Sequence, residues 1–442
     1  MKRLEKRSVI CLCLAALLLA GAGLFVFRFF RDGADWVVFY GNRSVYENGV
    51  LKSGSIRDRN GLLLSENKDG QVIYNDDAEI RKATVHAVGD AEGNVATSAM
   101  YAYRDRLIGY HPLTGTYKAA GKMDDLDLTL DANLCRVAYE QLAPYKAGCV
   151  GVYNYETGEI LCMVSTPTFD PMDYDPQNPE EGQYINRFLS SRFPPGSIFK
   201  TVTAGAALEN LPDWESFHYA CDGVRLVGNE KLYCFYPHGE VDIKGAMATS
   251  CNGAFSLLAD QMGAGNLAAY TKKVGLETSY DMDGIRSIAG AFNFPDDNPF
   301  NLGWAGVGQY MDQVNPCSMM VYMGALAHGG KAPAPRLLKK RLDLSPKMDT
   351  LLAPDVADQV AGMMKAAVQD GYGESRFPGL DIYAKTGTAE QKDKDPYGWF
   401  VGFLRNPEAP YAFVVCLEDS GEALYTAAPV ANAVLQAACG NR

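Results

Sequence analysis

Apolar and polar positions divide the chain into stretches of different periodicity. Residues 9–27 carry no charge and are apolar on every side rather than along one stripe. At about 1.5 Å per residue, a helix of that length just spans a hydrocarbon core of roughly 30 Å. Lys2, Arg3, Lys6 and Arg7 precede the stretch, and Arg28, Arg31 and Arg43 follow it. Ala20-Gly21-Ala22 resembles a signal-peptide cleavage site, but the apolar run continues through Leu24, Phe25, Val26 and Phe27, which favours an uncleaved anchor. The basic residues place the tail 1–7 in the cytoplasm, a single span at 8–30 in the plasma membrane, and the rest outside.

Residues 31–122 are polar, turn-rich and weakly periodic. Asn60-Gly61, followed by Leu62, Leu63 and Leu64, is a hairpin signal, and the region reads as a small strand-rich pedestal or linker. A compact domain is expected over 123–442. Its first helix, Ala132–Leu142, has Asp131 as a candidate N-cap. Two apolar runs, 149–155 and 160–165, flank a Gly-containing turn and predict a β-hairpin. Residues 170–370 read as mostly helical. Strands are expected again at 382–388, 399–404 and 411–418, then a helix at about 429–438. Strands at both ends enclosing a helical insert predict an α+β domain, one antiparallel sheet with helices on its faces.

Composition narrows the picture. The chain has 442 residues, 47% hydrophobic and 21% charged, which excludes a disordered or collagen-like protein. The net charge is −12 and becomes −17 once the basic first 31 residues are set aside, so no nucleic-acid partner is expected. Of eleven cysteines, Cys11 and Cys13 lie in the apolar span, leaving nine outside. Nine is odd, so at least one is unpaired. Several sit in apolar runs and read as small buried hydrophobes, while Cys221 and Cys234 flank a Gly-rich stretch and are a candidate disulfide. No Cys-x-x-Cys occurs and none of the five histidines pairs with a Glu at i,i+4, so no metal site is expected.

Three short motifs carry the chemistry. In Pro194-Pro195-Gly196-Ser197-Ile198-Phe199-Lys200, Ser197 would open a helix, and Ser and Lys at i,i+3 share a helical face. A hydroxyl needs a base to become a nucleophile, and a lysine serves when burial and neighbouring cations lower its pKa. Ser250-Cys251-Asn252 offers a hydroxyl for proton relay and an amide for a peptide carbonyl. Lys385-Thr386-Gly387-Thr388 falls on an expected strand, where Gly marks close approach of a backbone or ligand and the Lys and Thr groups suit a carboxylate. Each motif alone is common by chance; the ordered trio is specific.

On those motifs the chain resembles the class B, monofunctional branch of the penicillin-binding proteins, from about Leu126 to the C-terminus. Supporting segments are Ser165-Thr166-Pro167, Asn186-Arg187, Gly306-Val307-Gly308-Gln309 and Gly398-Trp399-Phe400-Val401-Gly402-Phe403. Residues 54–61 look like the family's membrane-proximal element, although Ser53 replaces its usual Arg. The resemblance implies a penicillin-binding transpeptidase fold with a five-stranded antiparallel sheet. It also implies a peptidoglycan D,D-transpeptidase: Ser197 attacks stem peptides ending in D-Ala-D-Ala, Lys200 is the base and Ser250 the proton relay. Asn252, Lys385, Thr386, Gly387 and Thr388 would hold the substrate, with the backbone N–H groups of Ser197 and Thr388 as oxyanion hole. No cofactor or metal is implied. β-Lactams would acylate Ser197, and a polytopic glycosyltransferase of the shape, elongation, division and sporulation family is the expected partner. A D,D-carboxypeptidase, or a catalytically slow cell-wall scaffold, would carry the same residues.

Overall fold

The apolar N-terminal stretch folds as helix α1 (Lys2–Val37), long and apolar enough to cross a membrane. The helix continues past residue 30, the end expected for the span, through a charged segment in which Arg31 pairs with Asp32 at 2.5 Å. The computed structural model describes residues 2–42, 45–111, 113, 124–340, 345–391 and 393–440; the boundary expected between 122 and 123 lies outside them. Two compact units are present. One comprises Met1–Ile56, Ser65–Tyr74 and Tyr103–Leu126; the other comprises Arg57–Leu64, Asn75–Ala102 and Asp127–Arg442.

The first unit is small and poor in core. Val38, Val45 and Ile108 form a buried cluster, with Val37, Tyr46, Leu51 and Tyr110 packed against it. Its strands are short. Tyr46–Glu47 pairs with Val50–Leu51, and residues 65–68 pair antiparallel with Gln71–Tyr74. Polar ties do much of the fastening: Asp125 accepts from both the backbone N–H and the hydroxyl of Ser55 at 2.8 Å.

The second unit is built on five antiparallel strands: β1 (Ala147–Asn154), β2 (Ile160–Thr166), β3 (Ile382–Gln391), β4 (Lys394–Leu404) and β5 (Tyr411–Glu418), in the spatial order β3-β4-β5-β1-β2. Residues 412–417 of β5 are all buried, so the sheet is covered on both faces rather than on one. Helix α2 (Ala132–Leu142), capped by the Asp131 carboxylate at 3.0 Å from Leu134 N, packs on β2 and against the C-terminal helix Ala427–Ala438. Helices Pro316–Ala327 and Pro354–Ala366 pack on β4, β5 and β3. The expected hairpin, strands, capped helix and terminal helix are thus all present, with boundaries shifted by a few residues.

Two details differ from expectation. The stretch 170–370, read as mostly helical, also carries two strand pairs: Val224–Val227 pairs with Glu230–Tyr233, and Tyr219–Cys221 pairs with Gly239–Val241. Val224-Arg225-Leu226-Val227 turning at Gly228-Asn229 is a two-residue hairpin signal that the helical neighbourhood obscured. Second, Ser197 does not open an α-helix directly. It sits in a 3₁₀ turn, Gly196–Phe199, which feeds α3 (Lys200–Asn210).

Candidate active site

The site lies where the 3₁₀ turn abuts the edge strand β3. The turn begins at Gly196, whose φ of +56° suits glycine and whose neighbour Pro194 accepts a 2.9 Å hydrogen bond from the Trp399 indole on β4. Gly387 on β3 has a separate reason to lack a side chain: a Cβ there would stand 2.7 Å from Pro195 O and 2.8 Å from Ile198 Cγ2. The Gly of Lys-Thr-Gly therefore lets the strand and the nucleophile's turn touch. Ser250 falls between helix Ile243–Ala248 and α4 (Asn252–Lys273), with a left-handed φ of +55°. A non-glycine residue held there costs energy, and such strain concentrates at functional sites.

The side chains converge. Lys200 Nζ stands 3.0 Å from Ser197 Oγ, 3.1 Å from Ser250 Oγ, and 2.6 Å from each of Ser250 O and Asn252 Oδ1. Lys385 Nζ stands 3.1 Å from the same Ser250 Oγ and 3.1 Å from Thr386 O. Both lysines are fully buried. Burial, with the Lys385 ammonium nearby as a second cause, holds Lys200 well below the ordinary lysine range; burial pushes Lys385 down to about 7. Two buried amines sharing one hydroxyl cannot comfortably both be charged. The arrangement favours a neutral Lys200 that donates to the two carbonyl oxygens at 2.6 Å and turns its lone pair to the Ser197 hydroxyl. Ser250 then links that amine to Lys385.

Every residue named from the three motifs is brought into this region. Ser197, Asn252 and Thr388 line one cleft of about 250 Å³, with Cys234, Phe235, Trp304 and Gln309 among the other walls. Sequence reasoning missed three contributors. Tyr233 ends the unexpected hairpin and Phe235 follows it, and Tyr233 O accepts from Asn252 Nδ2 at 2.8 Å. Tyr372 closes a π-helical turn, Ala367–Tyr372, and its hydroxyl accepts from Thr386 N at 3.0 Å while lying 3.0 Å from Thr386 Oγ1 and 3.3 Å from Lys385 Nζ. The third is a thiol cluster. Cys221 and Cys234 are free, their sulfurs 3.7 Å apart, so the disulfide suggested for them is not formed. They lie instead with His238 and Cys251, all four ligand atoms within 4.8 Å of one another. The expectation of no metal-ligand grouping rested on the lack of Cys-x-x-Cys; the spacing Cys-x12-Cys-x3-His-x12-Cys was the signal available.

A serine and a lysine one helical turn apart, joined to a Ser-x-Asn loop and a Lys-Thr-Gly strand, define a serine acyl-transfer site. The family profile described as the penicillin binding protein transpeptidase domain matches residues 148–436, and the chain belongs to that family of serine acyltransferases. The peptidoglycan D,D-transpeptidase PbpA of Mycolicibacterium smegmatis is 28% identical over 345 residues, covering 66% of this chain and 67% of the relative. The imipenem acyl-enzyme complex of penicillin-binding protein A from M. tuberculosis superposes with a TM-score of 0.76 at 23% identity, over 87% of this chain and 98% of that one. The D,D-transpeptidase domain of a peptidoglycan glycosyltransferase from Eggerthella lenta gives 0.74 at 24%, over 88% and 98%. The two structural likenesses establish the transpeptidase fold expected from the motifs.

Proposed function

We propose that this protein is a membrane-anchored peptidoglycan D,D-transpeptidase working through an acyl-enzyme on Ser197. The observation that carries the reading is the 3.0 Å approach of a buried, pKa-depressed Lys200 amine to the Ser197 hydroxyl. Lys200 takes the hydroxyl proton as Ser197 attacks the carbonyl of the penultimate D-alanine. Ser250, within 3.1 Å of both amines, returns a proton to the departing D-alanine. Lys385, Thr386 and Thr388 hold the substrate's terminal carboxylate beside Gly387, and Asn252 holds a peptide amide. The backbone N–H groups of Ser197 and Thr388 receive the oxyanion, each contributing about 2.7–4 kcal/mol by the measure of comparable donors. An amine of a neighbouring stem peptide completes the transfer, and a β-lactam acylates the same serine.

The chain is organised, in this reading, as a cytoplasmic tail 1–7, an anchor 8–30, a pedestal 31–122 and a catalytic domain 123–442 outside the membrane. The four basic residues ahead of the span support that orientation. Anchor and pedestal would meet a polytopic glycosyltransferase of the shape, elongation, division and sporulation family, which supplies the glycan strands. The test incubates the full-length protein in detergent with lipid-linked glycan strands bearing D-Ala-D-Ala stems. Cross-linked dimers with release of D-alanine are expected. D-alanine without dimers would make it a carboxypeptidase, and neither product would make it a scaffold.

A further inference from the structure

We infer that Cys221, Cys234, His238 and Cys251 form a structural zinc site built into the wall of the catalytic cleft. Among the described residues these are the one group of three or more such side chains placed to hold a metal ion. Ideal tetrahedral zinc, with bonds of about 2.3 Å to sulfur and 2.0–2.1 Å to nitrogen, sets S···S near 3.8 Å and S···N near 3.6 Å. Cys221–Cys234 measures 3.7 Å, Cys234–Cys251 3.8 Å and Cys221 Sγ–His238 Nδ1 3.2 Å. The two sulfur pairs match that figure and are far longer than the ~2.05 Å of a disulfide. Three thiolates and an imidazole are the ligand chemistry of zinc, and four protein ligands leave no open position, as in structural rather than catalytic sites.

The surroundings suit anionic sulfur. Gly253 N donates to Cys234 Sγ at 3.4 Å and Ala254 N to Cys251 Sγ at 3.5 Å, both from the first turn of α4. Cys221 and Cys251 are buried, while Cys234 and His238 are half-buried. The backbone is already folded around the ligands: Cys234 N donates to Gly223 O at 2.9 Å and His238 N to Cys221 O at 3.1 Å. Binding replaces the protons of up to three thiols with one zinc ion and changes no oxidation state.

The placement gives the metal a task. Cys251 separates Ser250 from Asn252, and Cys234 lines the cleft that holds Ser197. Zinc would fasten the hairpin region and the Ser-x-Asn loop together, fixing the left-handed Ser250 and the Asn252 amide where Lys200 meets them.

Metal content is read without substrate, so the test is independent of the acyl-transfer reading. Full-length protein, purified in detergent without chelator, should carry about one zinc per chain after gel filtration, as fits a closed four-ligand site. Exchange with cobalt(II) should give the intense visible bands of a tetrahedral ion and thiolate-to-cobalt charge transfer. Cys221→Ser should lose the metal; Cys439→Ser, outside the cluster, should keep it. His238→Cys keeps four ligands, so it should retain cobalt with charge-transfer intensity raised by roughly one third, from three thiolates to four. That variant and the wild-type cobalt spectrum decide the matter if Cys221→Ser fails to fold. Wild-type protein that binds neither ion, or peptide mapping that finds a disulfide joining any of the three cysteines, would overturn the proposal.

Discussion

Tyr372 offers the most informative perturbation of the site, because it touches the machinery without belonging to the three motifs. Its hydroxyl accepts from Thr386 N at 3.0 Å, lies 3.0 Å from Thr386 Oγ1, and is 3.3 Å from Lys385 Nζ. It is the acceptor for the Thr386 backbone N–H, the Thr386 hydroxyl and the Lys385 amine. Tyr372→Phe keeps the ring and removes this junction. A donor left without its partner in an enclosed site costs about 1–3 kcal/mol, which corresponds to roughly a 5- to 150-fold drop in the second-order acylation constant. The effect has a signature that loss of packing would lack. Burial pushes Lys385 down to about 7. Below that pH the ammonium is present to meet a carboxylate, so acylation by a carboxylate-bearing penicillin should decline as pH rises through the free-enzyme pKa. Removing an acceptor from Lys385 lowers that pKa further, and the alkaline limb should move to lower pH in the variant. Stopped-flow acylation with a fluorescent penicillin across pH, with a thermal scan as control, measures both. A constant within twofold of wild type, with an unmoved pH profile, would refute the junction.

Other outcomes follow from the same geometry. Lys200→Ala should lower acylation by about 10²–10⁴, the usual contribution of a positioned base, while leaving a folded protein by circular dichroism. Ser250→Ala, which removes the oxygen 3.1 Å from both amines, should fall in the same range and, at a pH well below the Lys385 value of about 7 where that amine stays charged, do so without weakening carboxylate binding measured with a non-reactive ligand. Lys385 also makes stability depend on pH. Its pKa drops from 10.5 to about 7 on folding, so between those values the unfolded chain holds a proton that the folded chain lacks. Stability should therefore rise with pH across that window, Lys385 contributing up to about 1.4 kcal/mol per unit beside the like-signed contribution of buried Lys200, and Lys385→Met should remove the Lys385 share of the slope while abolishing acylation. Gly387→Ala must part β3 from the 3₁₀ turn, since its Cβ would lie 2.7 Å from Pro195 O; overpacking of that kind costs about 1–3 kcal/mol, and a lowered unfolding temperature with slowed acylation is expected.

What could be read from the sequence was what local spacing encodes. Ser197 and Lys200 sit at i,i+3, and the strand around Lys385 announces itself by Ile382-Tyr383-Ala384 before a glycine that only close approach explains. Asp131 declared its helix by capping chemistry alone. Tyr372 could not be found in this way, because a π-helical turn and a connecting loop carry it back to a strand thirteen residues later, and no period links the two. The Val224–Val227 hairpin was hidden by its short length within a long helical region. The thiol cluster was misread for a different reason. Buried cysteines such as Cys149 and Cys416 do behave as small hydrophobes, their thiols pushed up by burial, whereas Cys221 and Cys234, paired in the sequence reading as a candidate disulfide, are free thiols that face Cys251 and His238 as well as each other.

The claim on which all of this rests is that Ser197 is the acyl acceptor. Treating the full-length protein with penicillin, digesting it and sequencing the modified peptide by mass spectrometry tests that directly. The account predicts one adduct, on Ser197 in the Pro-Pro-Gly-Ser-Ile-Phe-Lys segment, absent from Ser197→Ala. An adduct on Ser250, Cys234 or any other side chain, or undiminished labelling of the alanine variant, would contradict it.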